Sequence, residues 1–82
     1  MILTDVYVPS VDKTYDFNLN EQVRVQVIIE EIVEMIGQKE HAALQGKIED
    51  ILLCDKGGQC VLDRNKTLEE NGIHNGCSLI LV

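Results

Sequence analysis

The residues best suited to metal or nucleophile chemistry are three cysteines and two histidines. Cys54 and Cys60 stand as Cys-x5-Cys, and His74 and Cys77 as His-x2-Cys. A zinc site of the short-motif kind uses paired Cys-x2-Cys ligands or the zinc-finger order of Cys and His, and neither pattern is present. A cysteine nucleophile needs a histidine base that an acid or amide orients, and no such arrangement is readable here. The three thiols are expected to act as small hydrophobes on strands. Their odd number implies no disulfide framework, and free buried thiols in a reducing compartment fit better. His41 reads as a loop residue and His74 as a turn residue, neither a ligand. Gly57-Gly58 lacks the Lys-Ser/Thr and following helix of a phosphate loop. Glu69 and Glu70 read as a helix start, and Glu30, Glu31 and Glu34 as a solvated face. The expectation is a chain that is not an enzyme, with no catalytic, cofactor-binding or metal-ligating residue and no cofactor.

Composition narrows the partners. The 82 residues make a single domain over residues 1–82, small enough to bury only roughly 60–65% of its unfolded surface. With no Trp, one Phe and two Tyr, the core must be aliphatic. Seven basic against fourteen acidic residues give a net charge of −7. That balance argues against nucleic acid, whose binders carry a basic face, and against anionic lipid headgroups. It suits a basic protein partner or simple solvation of a small cytosolic domain. No segment approaches the roughly 20 apolar residues of a membrane span. The N-terminal Met1-Ile2-Leu3-Thr4-Asp5 has neither a basic n-region nor a small-residue cleavage site, so a cytoplasmic location without membrane insertion is expected.

The elements that must position any site follow from periodicity. Ile2 to Val8 reads as a strand with Ile2, Val6 and Val8 inward and Leu3 and Tyr7 on the other face. Pro9 to Lys13 turns the chain, since Pro cannot donate to a central ladder. Thr14 to Leu19 is a second strand, Tyr15, Phe17 and Leu19 inward, closing a hairpin. In Asn20 to Gly37 two templates compete. Val23, Val25, Val27 and Ile29 alternate as in a strand, while Val25, Ile28, Ile29, Ile32 and Ile36 form one helical stripe flanked by Val33 and Met35. The stripe explains more residues and predicts a helix from about Val25 to Ile36, stopped by Gly37. Its β-branched residues and the weak cap residue Arg24 make it dependent on packing. Gln38 to Asp50 is the least informative stretch. In it His41-Ala42-Ala43-Leu44 reads as a further helical turn, with Leu44 packing under the sheet edge and Gly46 ending it. Ile51 to Cys54 reads as a third strand, Asp55 to Gly58 as a turn and Cys60 to Leu62 as a short fourth strand. Thr67 and Glu70 have capping-box spacing, Gly72 suits a left-handed helix end, and Asn75-Gly76 introduces a last strand, Ser78 to Val82.

The pattern Leu62-Asp63, Lys66-Thr67-Leu68, Gly72-Ile73, Gly76, Leu79-Ile80-Leu81 resembles the C-terminal third of the ubiquitin-like β-grasp fold. With the earlier elements laid out, the resemblance covers the whole chain. It is similar to the small ubiquitin-like proteins of the YukD/EsaB type, associated with type VII secretion systems of Gram-positive bacteria. The resemblance implies an α+β fold, a mixed sheet of four to five strands packed on one main helix. In it the last strand lies in the sheet centre, parallel to the first. It also implies that the outer sheet face is the partner surface. Conjugated ubiquitin-like proteins and sulfur carriers of this fold end in an exposed Gly-Gly. Here Gly57-Gly58 is internal and the sequence closes on Leu81-Val82, so conjugation and sulfur transfer are disfavoured.

By alternation, if Ile51, Leu53, Leu79 and Leu81 face the helix, then Leu52, Cys54, Ile80 and Val82 face out. Tyr7 and Leu3 are expected to join them, because the first strand neighbours the last in the resembled fold. This cluster, with Tyr7, Leu52, Cys54, Ile80 and Val82 as its partner-binding residues, exceeds what scattered apolar residues amount to. It reads as a protein-docking surface, with self-association as a homo-oligomer or a merely aliphatic sheet as the alternatives. The expected role is a non-catalytic interaction module, a cytosolic accessory or regulatory component of a type VII secretion system. It would dock a secretion component through its sheet face or its acidic helix face. The alternatives are a ubiquitin-like modifier or sulfur carrier, and a ubiquitin-like scaffold unrelated to secretion.

Overall fold

A computed structural model describes residues 1–40 and 47–82. The reading of His41 to Gly46 as a further helical turn lies outside the described residues. Five strands, one α-helix and one 3-10 turn follow in the order β1 (Ile2–Val8), β2 (Lys13–Leu19), α1 (Val25–Glu40), the 3-10 turn Ile48–Asp50, β3 (Leu53–Asp55), β4 (Cys60–Val61) and β5 (Ser78–Leu81). The sheet order is β2-β1-β5-β3-β4. β5 is central, parallel to β1 and antiparallel to β3. This is the ubiquitin-like β-grasp, a mixed five-strand sheet on one main helix.

The inner face follows the predicted parity. Val6, Val8, Phe17, Leu19, Leu53, Leu79 and Leu81 are buried against Val25, Ile28, Ile29, Ile32 and Ile36 of α1. Thr4 shares that inward parity and is fully buried, and its hydroxyl has no hydrogen-bond partner among the described residues. Val27 is left 40% exposed, as the helical reading requires.

α1 follows Arg24, whose side chain offers no acceptor, and its start is completed by a loop that precedes the last strand. The backbone N–H of Val25 donates to the Lys66 carbonyl (2.9 Å) and that of Gln26 to the Arg64 carbonyl (3.0 Å). Two of the four donors that a helix start leaves unpaired are thereby satisfied from 38 or more residues away. The weak residue Arg24 is tolerated because the cap comes from tertiary structure.

The other end departs from expectation. Gly37 does not stop the helix, which runs on to Glu40. A glycine inside a helix costs about 1 kcal/mol relative to alanine, and past it α1 is met by side chains of β2. Lys13 Nζ lies 2.6 Å from a Glu40 carboxylate oxygen, and the Tyr15 hydroxyl donates to Glu40 Oε1 at 2.8 Å. Lys39 Nζ sits 5.5 Å from the Tyr15 ring centre and 5.9 Å from that of Phe17. Burial, then the bond to Glu40, pushes the Tyr15 hydroxyl pKa up.

Smaller corrections concern the second half. β3 starts at Leu53, not Ile51, because Ile48–Asp50 closes a 3-10 turn just before it. Leu52 and Val82 nevertheless exchange both backbone bonds, at 2.7 and 2.9 Å, so the ladder extends past the strand proper. β4 ends at Val61, yet the N–H of Leu62 still donates to the Leu53 carbonyl. The Thr67–Glu70 capping box forms in both directions: Thr67 N–H to Glu70 Oε1 at 2.9 Å, and Glu70 N–H to Thr67 Oγ1 at 3.0 Å. The Thr67 backbone bond, then the hydroxyl bond, holds the Glu70 carboxyl below its ordinary range. Gly72 (φ +79°) and Gly76 (φ +91°) then occupy the left-handed region that L side chains rarely adopt.

Candidate protein-interaction face

The chemistry-bearing residues do not converge. The backbone N–H of His74 donates to Cys77 Sγ at 3.4 Å, and its Nδ1 lies 3.2 Å from the carbonyl of Asn75, its own neighbour. Cys54 stands opposite Val61 and Cys60 opposite Asp55, so the two cysteines have opposite parity on the paired strands. The expectation of buried thiols is not met: Cys60 is exposed, and Cys54 and Cys77 are half-buried. Cys60 lies directly after a tight turn on the edge strand. Burial, and secondarily the neighbouring Cys60, pushes the Cys54 thiol up. Among the described residues no group of three or more His, Cys, Asp or Glu is placed to hold a metal ion. No helix among them is long and apolar enough to cross a membrane.

The outer sheet face is where side chains of one kind are aligned. Strand register places Thr14 opposite Tyr7, Tyr7 beside Ile80, Ile80 opposite Cys54 and Cys54 opposite Val61. One row thus crosses all five strands. The next row toward the chain end of β5 holds Leu52 and Val82, which are 38% and 55% exposed. Tyr7, Leu52, Cys54, Ile80 and Val82, which the sequence nominates, therefore do lie together on this face. Tyr7 is fixed by its hydroxyl, which donates to Asp12 Oδ1 at 2.8 Å, a bond that also pushes the phenol pKa up.

Two details differ from the sequence reading. Leu3 does not join the cluster. It is 49% exposed at the far end of β1, with Asp5 between it and Tyr7 on the same face. Val61 does join, at 55% exposure. Its outward parity was available from Leu62, whose burial is the natural reading of a leucine in a short strand beside the core.

The row below Tyr7 and Ile80 is polar. Asp5 stands opposite Asp16 and beside Ser78, whose hydroxyl donates to Asp5 Oδ1 at 2.8 Å. Lys56, whose backbone N–H donates to the Ser78 carbonyl at 3.0 Å, continues this row on the β3 side, so the face is apolar toward Val82 and charged toward Ser78, with its carboxylates on β1 and β2. On α1, Glu30, Glu31 and Glu34 are exposed on the opposite side of the molecule from this sheet face.

The comparisons agree with the architecture. A family model described as WXG100 protein secretion system (Wss), protein YukD, matches residues 3–81. Among solved structures, the EccD5 ubiquitin-like domain from Mycobacterium xenopi superposes with a TM-score of 0.78 at 18% identity, covering 99% of this chain and 91% of that one. Ubiquitin of Caldiarchaeum subterraneum gives 0.71 at 16% identity, covering 98% and 89%. ATBAG1, in a crystal structure with HSP70, gives 0.75 at 15% identity, covering 100% of this chain and 40% of that one. At these identities the likeness is one of fold. No curated protein matches the sequence.

Proposed function

The chain belongs to the YukD family of the WXG100 protein secretion system, and from that membership we propose that it serves a type VII secretion system as a non-catalytic docking module in the cytoplasm. The observation that carries this reading is the apolar row Tyr7–Ile80–Cys54–Val61, which runs across β1, β5, β3 and β4 on the face that α1 leaves uncovered. A sheet whose inner face is filled by a helix needs only polar residues outside. An aligned apolar row there costs solubility and is explained by a partner that covers it.

Ile80 is the key position, because it lies mid-row on the central strand with neighbours on both sides. The experiment is a capture from native cytosol with wild type and Ile80→Asp, both checked for folding by circular dichroism. Recovery of a secretion component by folded wild type alone supports the reading. Equal recovery by both moves docking off the sheet face, with the acidic face of α1 the next surface to mutate. A dimeric wild type with no partner and a monomeric Ile80→Asp would assign the face to self-association.

A further inference from the structure

The outer face carries a second feature that the docking reading does not use. Asp5 and Asp16 are direct cross-strand partners, which places their Cα atoms about 4.5–5.5 Å apart. Like charges at that position destabilise a sheet. Among the described residues neither aspartate makes an ion pair; the ion pairs there are Met1–Glu21 and Lys13–Glu40. Asp5 keeps one oxygen on the Ser78 hydroxyl, and Asp16 is exposed. The two carboxylates sit one step along the strands from Tyr7 and Ile80, that is, about 7 Å from the apolar row.

We infer that this face is polarised to receive a segment of a partner protein that presents one large apolar side chain to Tyr7, Ile80, Cys54 and Val61, with a lysine or arginine about 7 Å away on Asp5 and Asp16. The inference rests on the docking reading and adds the chemistry of what docks. Charge complementarity selects this occupant. The chain's net charge of −7 and the carboxylate pair both favour a cationic group, and both oppose a second copy of this chain. Area points the same way. Four apolar positions in one row and two in the next, each about 4.8 Å by about 7 Å, give roughly 200 Å², well under the roughly 800 Å² per partner of a standard stable interface. A short segment fits that area.

The test uses the full chain, isotopically labelled, titrated with three synthetic peptides that share one core with a single leucine as its large apolar residue. Their flanks carry Lys and Arg, Gln, or Glu. The expected result is that the basic peptide shifts the amide signals of Tyr7, Cys54 and Ile80. It should bind roughly threefold or more tighter than the Gln-flanked peptide at low salt, with the Glu-flanked peptide weakest. The double variant Asp5→Asn, Asp16→Asn keeps the acceptor for Ser78 and should abolish the ranking while leaving the Gln-flanked peptide unchanged. Equal binding of all three peptides, shifts confined to α1, or no shift on the face with any peptide would overturn the inference. So would a wild-type dimer that the basic peptide does not compete apart. A secretion component lost by Ile80→Asp but retained by the Asn double variant would leave the docking reading standing and remove only its charge assignment.

Discussion

Arg64 Nε donates to Gln26 Oε1 at 2.6 Å, joining the loop before β5 to the first turn of α1. The same guanidinium donates through Nη1 to the carbonyls of Glu49 and Ile51 and through Nη2 to that of Ile48. One planar fork thus ties the helix start to the 3-10 turn that leads into β3. A hydrogen bond to a charged group contributes about 1.5–3 kcal/mol net, and the bonds of one partly exposed guanidinium are not additive. Arg64→Ala is expected to lower unfolding stability by about 2–3 kcal/mol, and Arg64→Lys to recover little of it, because an ammonium cannot span the fork. Urea denaturation of the three proteins checks this; a loss below the error of the method would mean that water replaces the fork.

The Thr67–Glu70 box makes stability depend on pH. The Glu70 carboxyl is held below its ordinary range in the folded protein, so folding favours its ionised form. Its contribution is complete above the unfolded pKa of about 4.3 and is lost as pH falls through the lower folded value. Glu70→Gln should therefore be less stable than wild type near neutrality, and the gap should narrow under acid. Melting curves at neutral and strongly acidic pH measure it; a gap constant with pH would show that the carboxylate charge is not what the cap uses.

Thr4 sits in the core with an unpartnered hydroxyl. Thr4→Val removes that group at nearly constant shape, and stability should rise by about 1 kcal/mol. The check is the denaturation midpoint at unchanged slope. A destabilised variant would show that the hydroxyl is satisfied in solution.

The cysteines should react in a fixed order. Cys60 is exposed, whereas burial raises the Cys54 pKa and lowers its thiolate fraction. Iodoacetamide at mildly alkaline pH should label Cys60 before Cys54, as read by peptide mass spectrometry. Covering the outer face should slow Cys54 further and leave Cys60 little changed, since the two have opposite parity.

The residues that proved legible are those whose burial follows a period. The parity of Ile2, Val6 and Val8, of Phe17 and Leu19, and of Leu79 and Leu81 was readable because one sheet face is filled and a one-residue slip would expose every one of them. The stripe from Val25 to Ile36 was readable for the same reason at the helical period. That α1 continues past Gly37 was not readable, because the groups that meet it there, Lys13 and Tyr15 against Glu40, come from a distant strand. Arg64 left no local signal, since its acceptors are mostly backbone carbonyls that any residue would offer. On the candidate face, alternation found Tyr7, Leu52, Cys54, Ile80 and Val82. It misplaced Leu3, because parity alone does not say how far along a strand two residues stand.

The central position of β5 sets the order in which the molecule can be made. β1 and β3 each hold one edge for a strand that is the last element of the domain to be synthesised. Asp5 finds Ser78 only after the ribosome has added 73 more residues. Until then the nascent chain holds a hairpin and a helix whose β-branched stripe lacks the middle of its sheet, with unpaired strand edges open to any neighbour. Closure is then a long-range event in a short chain, which slows folding relative to a helical bundle of its size. The edges of β1 and β3 that await β5 are therefore where mispairing of this domain is expected.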